Sequence, residues 1–480
     1  MRKLILLITL TTFVFSNSSA QSFSNNGYKI EGEIVGLQDT EAILAFYYRE
    51  SARAVDTALT NKGKFVFSGK KELKKGMYFI LIPDKRIEII ISEQKFKFKT
   101  SINNHVQDMN FINSKENTIF YNYINFLDSK QKTATPLREK LKTASSSETE
   151  KLKQRLESID KEVKKFQTEI LKKNKNLFFS KIINATIEPI IIPDITLDKD
   201  GKTNENVRMA YYTNHYWDNI DLTNSGILRT NFFYSKLETF FDKVVFPIPD
   251  SIILYADLLI EKSKTDDEVF SYVVSHITSK YERSKIMGMD AVFVNMVEKY
   301  YMTKMCTWVD STTLENIIKK AKELSPNLIG NIAPEFLDFS GSPFMKDQTG
   351  RTYTLSSINA DHTVIVFYGP TCGHCKKEIP KIKNTLDSLI NLKHNIKTFA
   401  VCTEFDKEEW GKFIQEQKIG NWINVADIRF DKEGGLVASS DWREKYDIKS
   451  TPVIYLLDKE KKIIGKKINH KQVAQIITRK

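Results

Sequence analysis

The chain has few cysteines for its length, only four in 480 residues: Cys306, Cys372, Cys375 and Cys402. That is far below the density of a disulfide-stapled scaffold. It also has no basic block interleaved with aromatics. Its formal charge of +12 is spread among alternating Lys and Glu, which points away from nucleic acid and toward a solvated, mildly basic surface. No apolar run reaches the length needed to span a bilayer. His215 and His276 have no companions at metal-ligand spacing, so both read as structural. What remains is a chain with 41% hydrophobic residues, enough for packed cores, and with room for about three domains.

The first residues have their own pattern. Arg2 and Lys3 precede the apolar stretch Leu4 to Phe15, and Ser18-Ser19-Ala20 supplies small residues before Gln21. A basic start, a short apolar core and a small-residue cleavage site describe a secretory signal over residues 1–20. The competing reading is a short N-terminal anchor. The first cysteine is Cys306, so no lipid-accepting Cys follows the cleavage site. The mature chain is therefore expected to be soluble and exported, in a bacterial periplasm or cell envelope.

The chemistry is concentrated near residue 370. Thr363 to Phe367 is a β-branched and aromatic run, the pattern of a strand covered on both faces. Gly369 and Pro370 break it. Cys372-Gly373-His374-Cys375 follows, and Cys375, Ile379, Ile382, Leu386 and Leu389 then recur at helical spacing. Cys372 is thus expected at a helix N-terminus, where free N–H groups and the helix dipole favour a thiolate, and a protonated His374 adds positive charge. The pattern predicts thiol–disulfide exchange, with Cys372 attacking and Cys375 resolving. Zinc would need further ligands, and Cys306 and Cys402 are isolated. A c-type haem site would need His directly after the second Cys, where Lys376 stands. No cofactor is expected beyond the redox-active Cys372–Cys375 disulfide.

With these residues in view, 331–480 resembles the thioredoxin fold and, within it, the TlpA/ResA-like envelope thiol–disulfide oxidoreductases of the AhpC/TSA-redoxin superfamily. The Cys-Gly-His-Cys tetrad is the one used by protein disulfide isomerase. Pro380 matches the helix-kinking proline, and Gly330, Pro334, Gly350 and Leu355 match the TlpA-like lead-in. The resemblance implies that Thr451-Pro452, before the apolar strand Val453 to Leu457, is the cis-proline element that holds the substrate chain. It also implies that Glu378 is the acid near the dithiol in the ResA-like branch. One position departs from the pattern: where thioredoxin has a buried Asp, six residues before the first Cys, this chain has Val366. Assisted proton handling, including relay of the Cys375 proton, would then fall to Glu378.

The rest of that domain reads as alternating strands and helices. Ile396 to Cys402 is a strand, and Asp406 with Glu409 forms a capping box. Trp442 to Tyr446 is a short helix, Ile463-Ile464 a hairpin strand, and Val473, Ile476 and Ile477 mark a last helix. Cys402 is expected to be buried, with a regulatory disulfide as the lesser reading.

Upstream, residues 27–105 read as a small all-β, sandwich-like domain. Its short alternating strands include Ala42 to Tyr48, Lys64 to Ser68, Gly76 to Ile82, Arg86 to Ser92 and Lys95 to Thr100, with turns at Asn61-Lys62-Gly63 and Pro83-Asp84. The stretch resembles the β-domain of unknown function that often precedes thioredoxin-like domains. Residues 115–325 read as a mainly α-helical middle domain. Leu152, Leu156, Ile159, Val163, Phe166 and Ile170 form a heptad-like stripe, open to packing within the domain or along a dimer seam. The aromatics crowded into 207–241 are Tyr211, Tyr212, Tyr216, Trp217, Phe232, Phe233, Tyr234, Phe240 and Phe241; they read mainly as core, with a substrate-peptide groove as the reading for an exposed subset. Cys306 reads as a buried small hydrophobe.

The expected function is thiol–disulfide oxidoreduction on protein substrates, with a membrane or periplasmic electron donor or acceptor. A thiol peroxidase is the first alternative, but its Pro-x-x-x-Thr-x-x-Cys loop does not fit Pro370 and Thr371 directly before Cys372. A binding or scaffold protein with a secondary dithiol is the second. The direction of electron flow is pulled both ways. TlpA/ResA-like relatives usually act as reductants, whereas Gly373-His374 favours an oxidising pair, nearer about −180 mV than about −270 mV.

Overall fold

The computed structural model describes residues 27–189, 197–404, 406–428 and 440–479. The expected signal segment, residues 1–20, lies outside the described residues. The chain forms two compact units, one of residues up to 193 with 215–237, the other of 194–214 with 238–480. The helical stretch is shared between them.

The first unit holds two four-stranded sheets. One has the order β4-β1-β7-β8, from β1 (Tyr28–Val35), β4 (Lys64–Gly69), β7 (Lys95–Ser101) and β8 (Asn110–Ile112). The other has the order β3-β2-β5-β6, from β2 (Glu41–Tyr48), β3 (Ser51–Leu59), β5 (Gly76–Ile82) and β6 (Lys85–Ile91). Alternation explains both faces. Tyr28, Ile30 and Ile34 of β1 join Phe65, Phe67, Tyr78, Ile80, Ile89, Phe96 and Phe98 in one core. On the outer face Glu31 pairs with Lys97 at 3.0 Å and Glu33 with Lys99 at 2.8 Å across the parallel β1–β7 register. In the expected turn Gly63 has φ +74, and a Cβ there would lie 2.2 Å from the Ile34 carbonyl oxygen.

The strand β3 is an addition to the sequence reading. It lies at a sheet edge and most of its side chains are exposed, so it has no buried face to print a period-2 pattern on the sequence.

The helices Lys115–Leu141 and Ser146–Lys173 form a hairpin within this unit. Phe166 of the second stacks on Phe126 of the first at 4.2 Å, Gln167 donates to the Tyr123 hydroxyl at 2.8 Å, and Lys130 pairs with Glu162. Descending partners against ascending ones make the pair antiparallel. Phe166 and Ile170 of the heptad-like stripe therefore pack within the chain, while Leu152, Leu156 and Val163 are partly exposed. The buried carboxylate of Glu116 accepts the N–H groups of Phe178 and Phe179 at 2.9 and 2.8 Å, satisfying free donors at the start of helix Phe178–Ala185.

The second unit combines helices, among them Pro249–Ser263, Asp267–Glu282 and Ser311–Leu324, with a six-stranded sheet. The sheet contains β9 (Met345–Lys346), β10 (His362–Tyr368), β11 (Ile396–Cys402), β12 (Ile423–Asp427), β13 (Val453–Leu457) and β14 (Ile463–Lys466), in the order β14-β13-β10-β11-β12-β9. The strand β10 is central, parallel to β11 and antiparallel to β13. It is buried on both faces, as the apolar run predicts. Val364, Val366 and Tyr368 point into a core with Ile379, Ile382, Leu386, Trp410, Phe413 and Val473, under the helices Gly373–Asn391, Lys407–Glu416 and His470–Thr478. Ile365 and Phe367 point the other way, to Phe336, Trp442, Tyr446 and Tyr455. This α/β layering is the one the thioredoxin resemblance implies. Among the described residues no helix is long and apolar enough to cross a membrane.

Candidate active site

The site lies where β10 ends. Tyr368, its last residue, is fully buried, and its hydroxyl accepts the Trp410 Nε1–H at 2.8 Å and donates to Asn424 at 3.2 Å. Gly369 and Pro370 turn the chain, and the Cys372 N–H closes that turn on the Gly369 carbonyl at 3.2 Å. The helix Gly373–Asn391 then begins with Cys372 as its N-cap. The cap is a sulfur: the Cys375 N–H donates to Cys372 Sγ at 3.3 Å. Gly373 and His374 are exposed on the first turn, beside the sulfur they were expected to tune.

The two thiols differ because their surroundings do. Cys372 is partly exposed and Cys375 is fully buried. Burial opposes ionisation of Cys372, but the hydrogen bonds it takes from the Cys375 thiol, the Thr451 side chain and the backbone N–H groups of Cys375 and His374 outweigh burial. Its pKa therefore lies below that of an ordinary thiol. Cys375 goes the other way. Burial, reinforced by its hydrogen bond with the neighbouring Cys372, pushes its thiol up to about 12. The arrangement thus contains one ready nucleophile and one reserve thiol three residues on, facing it.

Thr451 and Pro452 close the site from the strand side. The peptide bond between them is cis. As a thiol, Cys372 donates to the Thr451 carbonyl at 3.3 Å. The register Phe367 to Val453 sets β13 beside β10, so residues 79 apart in sequence meet at the sulfur. The sequence brought Thr451 and Pro452 forward through the family motif, and the structure puts the Thr451 carbonyl at Cys372 Sγ.

Glu378 lies one turn beyond Cys375, half-buried, with its carboxylate on Lys381 Nζ at 2.8 Å and 4.0 Å from His470 Nδ1. The Lys381 hydrogen bond holds it below the usual carboxylate range. Its ion-pair partners are Lys381 on the same helix and His470 at the start of helix His470–Thr478, and the charge of His374 also acts on it. Val366 is fully buried in an apolar core.

One residue at the site was missed by sequence reasoning. Glu404 follows β11, and its carboxylate accepts the Thr371 O–H at 2.5 Å and the Thr371 N–H at 3.3 Å. Its partner is 33 positions away, so only the β10–β11 pairing could have pointed to it.

The other two cysteines are buried, Cys402 in the same apolar core as Cys375. Burial pushes both Cys402 and Cys306 up to about 12. His215 pairs with Asp218 at 2.5 Å and His276 with Glu238 at 2.8 Å. Among the described residues no three His, Cys, Asp or Glu side chains are grouped to hold a metal ion.

Comparison with known proteins covers most of the chain. Residues 329–466 match the AhpC/TSA family, 28–120 match a domain of unknown function (DUF4369), and 144–327 match another (DUF5106). The chain is similar to the crystal structure of a thioredoxin-like protein from Bacteroides caccae ATCC 43185, at 18% identity over 61% of this chain and 99% of that one, with a TM-score of 0.43. A domain of possible thiol-disulfide isomerase from Cytophaga hutchinsonii ATCC 33406 is 35% identical over 31% of this chain and 90% of its own, with a TM-score of 0.26. The thioredoxin domain of a thiol-disulfide oxidoreductase from Bacteroides vulgatus is 24% identical over 31% of this chain and 98% of its own, with a TM-score of 0.26. No curated protein matches the chain.

Proposed function

On the premise that residues 329–466 are an AhpC/TSA-family domain of thioredoxin fold, we propose that the protein is a thiol–disulfide oxidoreductase acting on protein substrates in the cell envelope. The observation that carries this reading is the asymmetry of the dithiol: a partly exposed, pKa-lowered Cys372 capped by N–H groups, and a buried, pKa-raised Cys375 beneath it.

The Cys372 thiolate attacks one sulfur of a substrate disulfide. A Cys372–substrate disulfide forms, and the other substrate sulfur leaves as a thiolate and takes a proton. Cys375 then loses its proton and attacks Cys372 Sγ. The second substrate sulfur leaves, and the Cys372–Cys375 disulfide remains. The substrate has gained two electrons and the enzyme has lost them. Thr451 and Pro452 hold the substrate chain beside Cys372. A donor dithiol, soluble or membrane-borne, reverses the oxidation, and no cofactor other than the dithiol takes part. The basic, apolar and small-residue pattern of residues 1–20 supports export. The regions matching the two domains of unknown function fit a role in choosing the substrate, by their size and their place before the dithiol domain.

Trapping tests this directly. Cys375→Ser is expected to accumulate a mixed disulfide through Cys372 when offered a disulfide-bonded protein such as insulin, and Cys372→Ser is expected to accumulate none. Equal trapping by both variants sinks the reading. Peroxide consumption that survives Cys375→Ser would move the assignment to a thiol peroxidase.

A further inference from the structure

The Cys372–Cys375 loop is held by a charge that belongs to no sequence motif. The parallel register of β10 and β11 sets Tyr368 beside Cys402, so the chain leaves both strands side by side. Thr403 fastens the exit, its N–H and hydroxyl both on the Tyr368 carbonyl at 2.8 and 3.2 Å. Glu404 comes next and lays its carboxylate over the loop. A Cβ at Gly369 would lie 2.8 Å from Glu404 Cδ and Oε1 and 2.9 Å from Oε2, so the carboxylate lies directly on the glycine and would have to move for any larger residue. Thr371 pins one oxygen with its hydroxyl and its N–H. Both anchor points touch the dithiol. Gly369 accepts the Cys372 N–H and hydrogen-bonds through its backbone to Cys375, and Thr371 directly precedes Cys372.

We propose that Glu404 is a redox-tuning residue whose negative charge beside the Gly369–Cys372 loop makes the Cys372–Cys375 pair more reducing. The inference rests on the oxidoreductase reading and deepens it. A carboxylate beside the loop disfavours the Cys372 thiolate and leaves the uncharged disulfide untouched, so it favours release of electrons to the substrate. It opposes His374 and the helix N-terminus, which favour the thiolate. The Arg443 guanidinium lies on the Thr403 carbonyl, one residue before Glu404, and offsets part of the charge. Glu404 is itself exposed, which keeps the effect modest and sensitive to salt.

The test is the equilibrium of the dithiol with glutathione in the full chain, at about 0.01 M and about 1 M salt, where the Debye length falls from about 30 Å to about 3 Å. Glu404→Gln keeps an acceptor for Thr371 and removes the charge. It is expected to shift the equilibrium about three- to tenfold toward the dithiol at low salt, tenfold corresponding to about 30 mV, and the shift should shrink at high salt. Glu404→Asp, which keeps the charge, should stay closer to wild type than Glu404→Gln. No shift, a shift toward the disulfide, or one of equal size at both salt concentrations overturns the proposal, the last by assigning the effect to loop geometry. A wild-type pair that never exchanges with glutathione overturns the oxidoreductase reading itself, whereas an exchanging pair indifferent to Glu404 overturns only this inference.

Discussion

Cys372 and Cys402 sit at the ends of neighbouring structural elements, one at the start of the helix Gly373–Asn391 and one at the last residue of β11. Both are packed near Tyr368 and belong to or border the same apolar core. Cys402 is 3% exposed, and burial pushes its thiol up to about 12. Burial opposes ionisation of Cys372 too, but hydrogen bonds from the Cys375 thiol and the Thr451 side chain, joined by the backbone N–H groups of Cys375 and His374 at the helix N-terminus, bring its pKa below the ordinary value. Proximity to the site therefore does not make a cysteine reactive. Donors aimed at the sulfur do, together with a path to solvent.

Replacing each thiol in turn breaks the comparison most sharply. Cys372→Ser is expected to lower the rate of insulin reduction by at least about a thousandfold, since the attacking thiolate is gone. Cys402→Ala should leave it within about twofold. A loss of comparable size in Cys402→Ala would place Cys402 in the exchange pathway and restore the regulatory-disulfide reading.

Alkylation of the reduced protein sharpens the same contrast through pH. A group with a pKa of about 12 is roughly one part in 10⁵ thiolate at pH 7. Iodoacetamide should therefore modify Cys372 more than about a hundredfold faster than Cys402 or Cys306, read by mass spectrometry of the peptides. The sign follows from the lowered pKa. The Cys372 rate holds as pH falls through the ordinary thiol range and drops only below it, while Cys402 and Cys306 begin to react only on the alkaline side. A Cys372 profile with the midpoint of a free thiol contradicts the cap geometry.

Much of this was legible in the sequence. Strand β10, its helix and the Cys-Gly-His-Cys loop print strong periodicities, because a strand buried on both faces and an amphipathic helix each leave an unbroken pattern. Asp406 caps its helix, accepting the N–H groups of Glu408 and Glu409 at 3.0 and 2.9 Å, which is the Asp406 half of the expected capping box. Of the aromatics crowded near 207–241, Tyr216, Trp217, Phe233, Phe240 and Phe241 are buried as core, whereas Tyr211, Tyr212, Phe232 and Tyr234 are partly exposed. Two kinds of feature were not legible. The exposed edge strand β3 has no buried face to pattern its residues. Glu404 acts on a loop that reaches it only through strand pairing, and no local spacing encodes that pairing.

Tyr368→Phe probes the core the two thiols share. The hydroxyl is the acceptor for Trp410 Nε1, and both rings are at most 1% exposed. Its removal orphans a buried indole N–H and breaks the bond to Asn424, a loss of about 1–3 kcal/mol. The urea midpoint should fall accordingly with an unchanged slope, and the Cys372 alkylation profile should stay in place. A moved profile would mean that the core sets the Cys372 thiolate, and the contrast with Cys402 would then no longer rest on the helix cap.

The smallest expected effect belongs to Glu378, which the family pattern offered as the proton relay for Cys375. A relay must exchange protons near the working pH, so it needs a carboxyl raised toward neutrality and directed at the sulfur. Glu378 has the reverse: Lys381 holds it ionised, and its other charged neighbours are His470 and His374. Glu378→Gln is therefore expected to change the rate of resolution by less than about threefold, with the pH–rate profile in place, because an exposed ion pair of this kind contributes about 0–1 kcal/mol. The buried Cys375 would then lose its proton to water or to the departing substrate thiolate. If Glu378→Gln instead flattens the pH dependence of resolution, the carboxyl must leave Lys381 when substrate binds, and the relay role returns in the mixed-disulfide state.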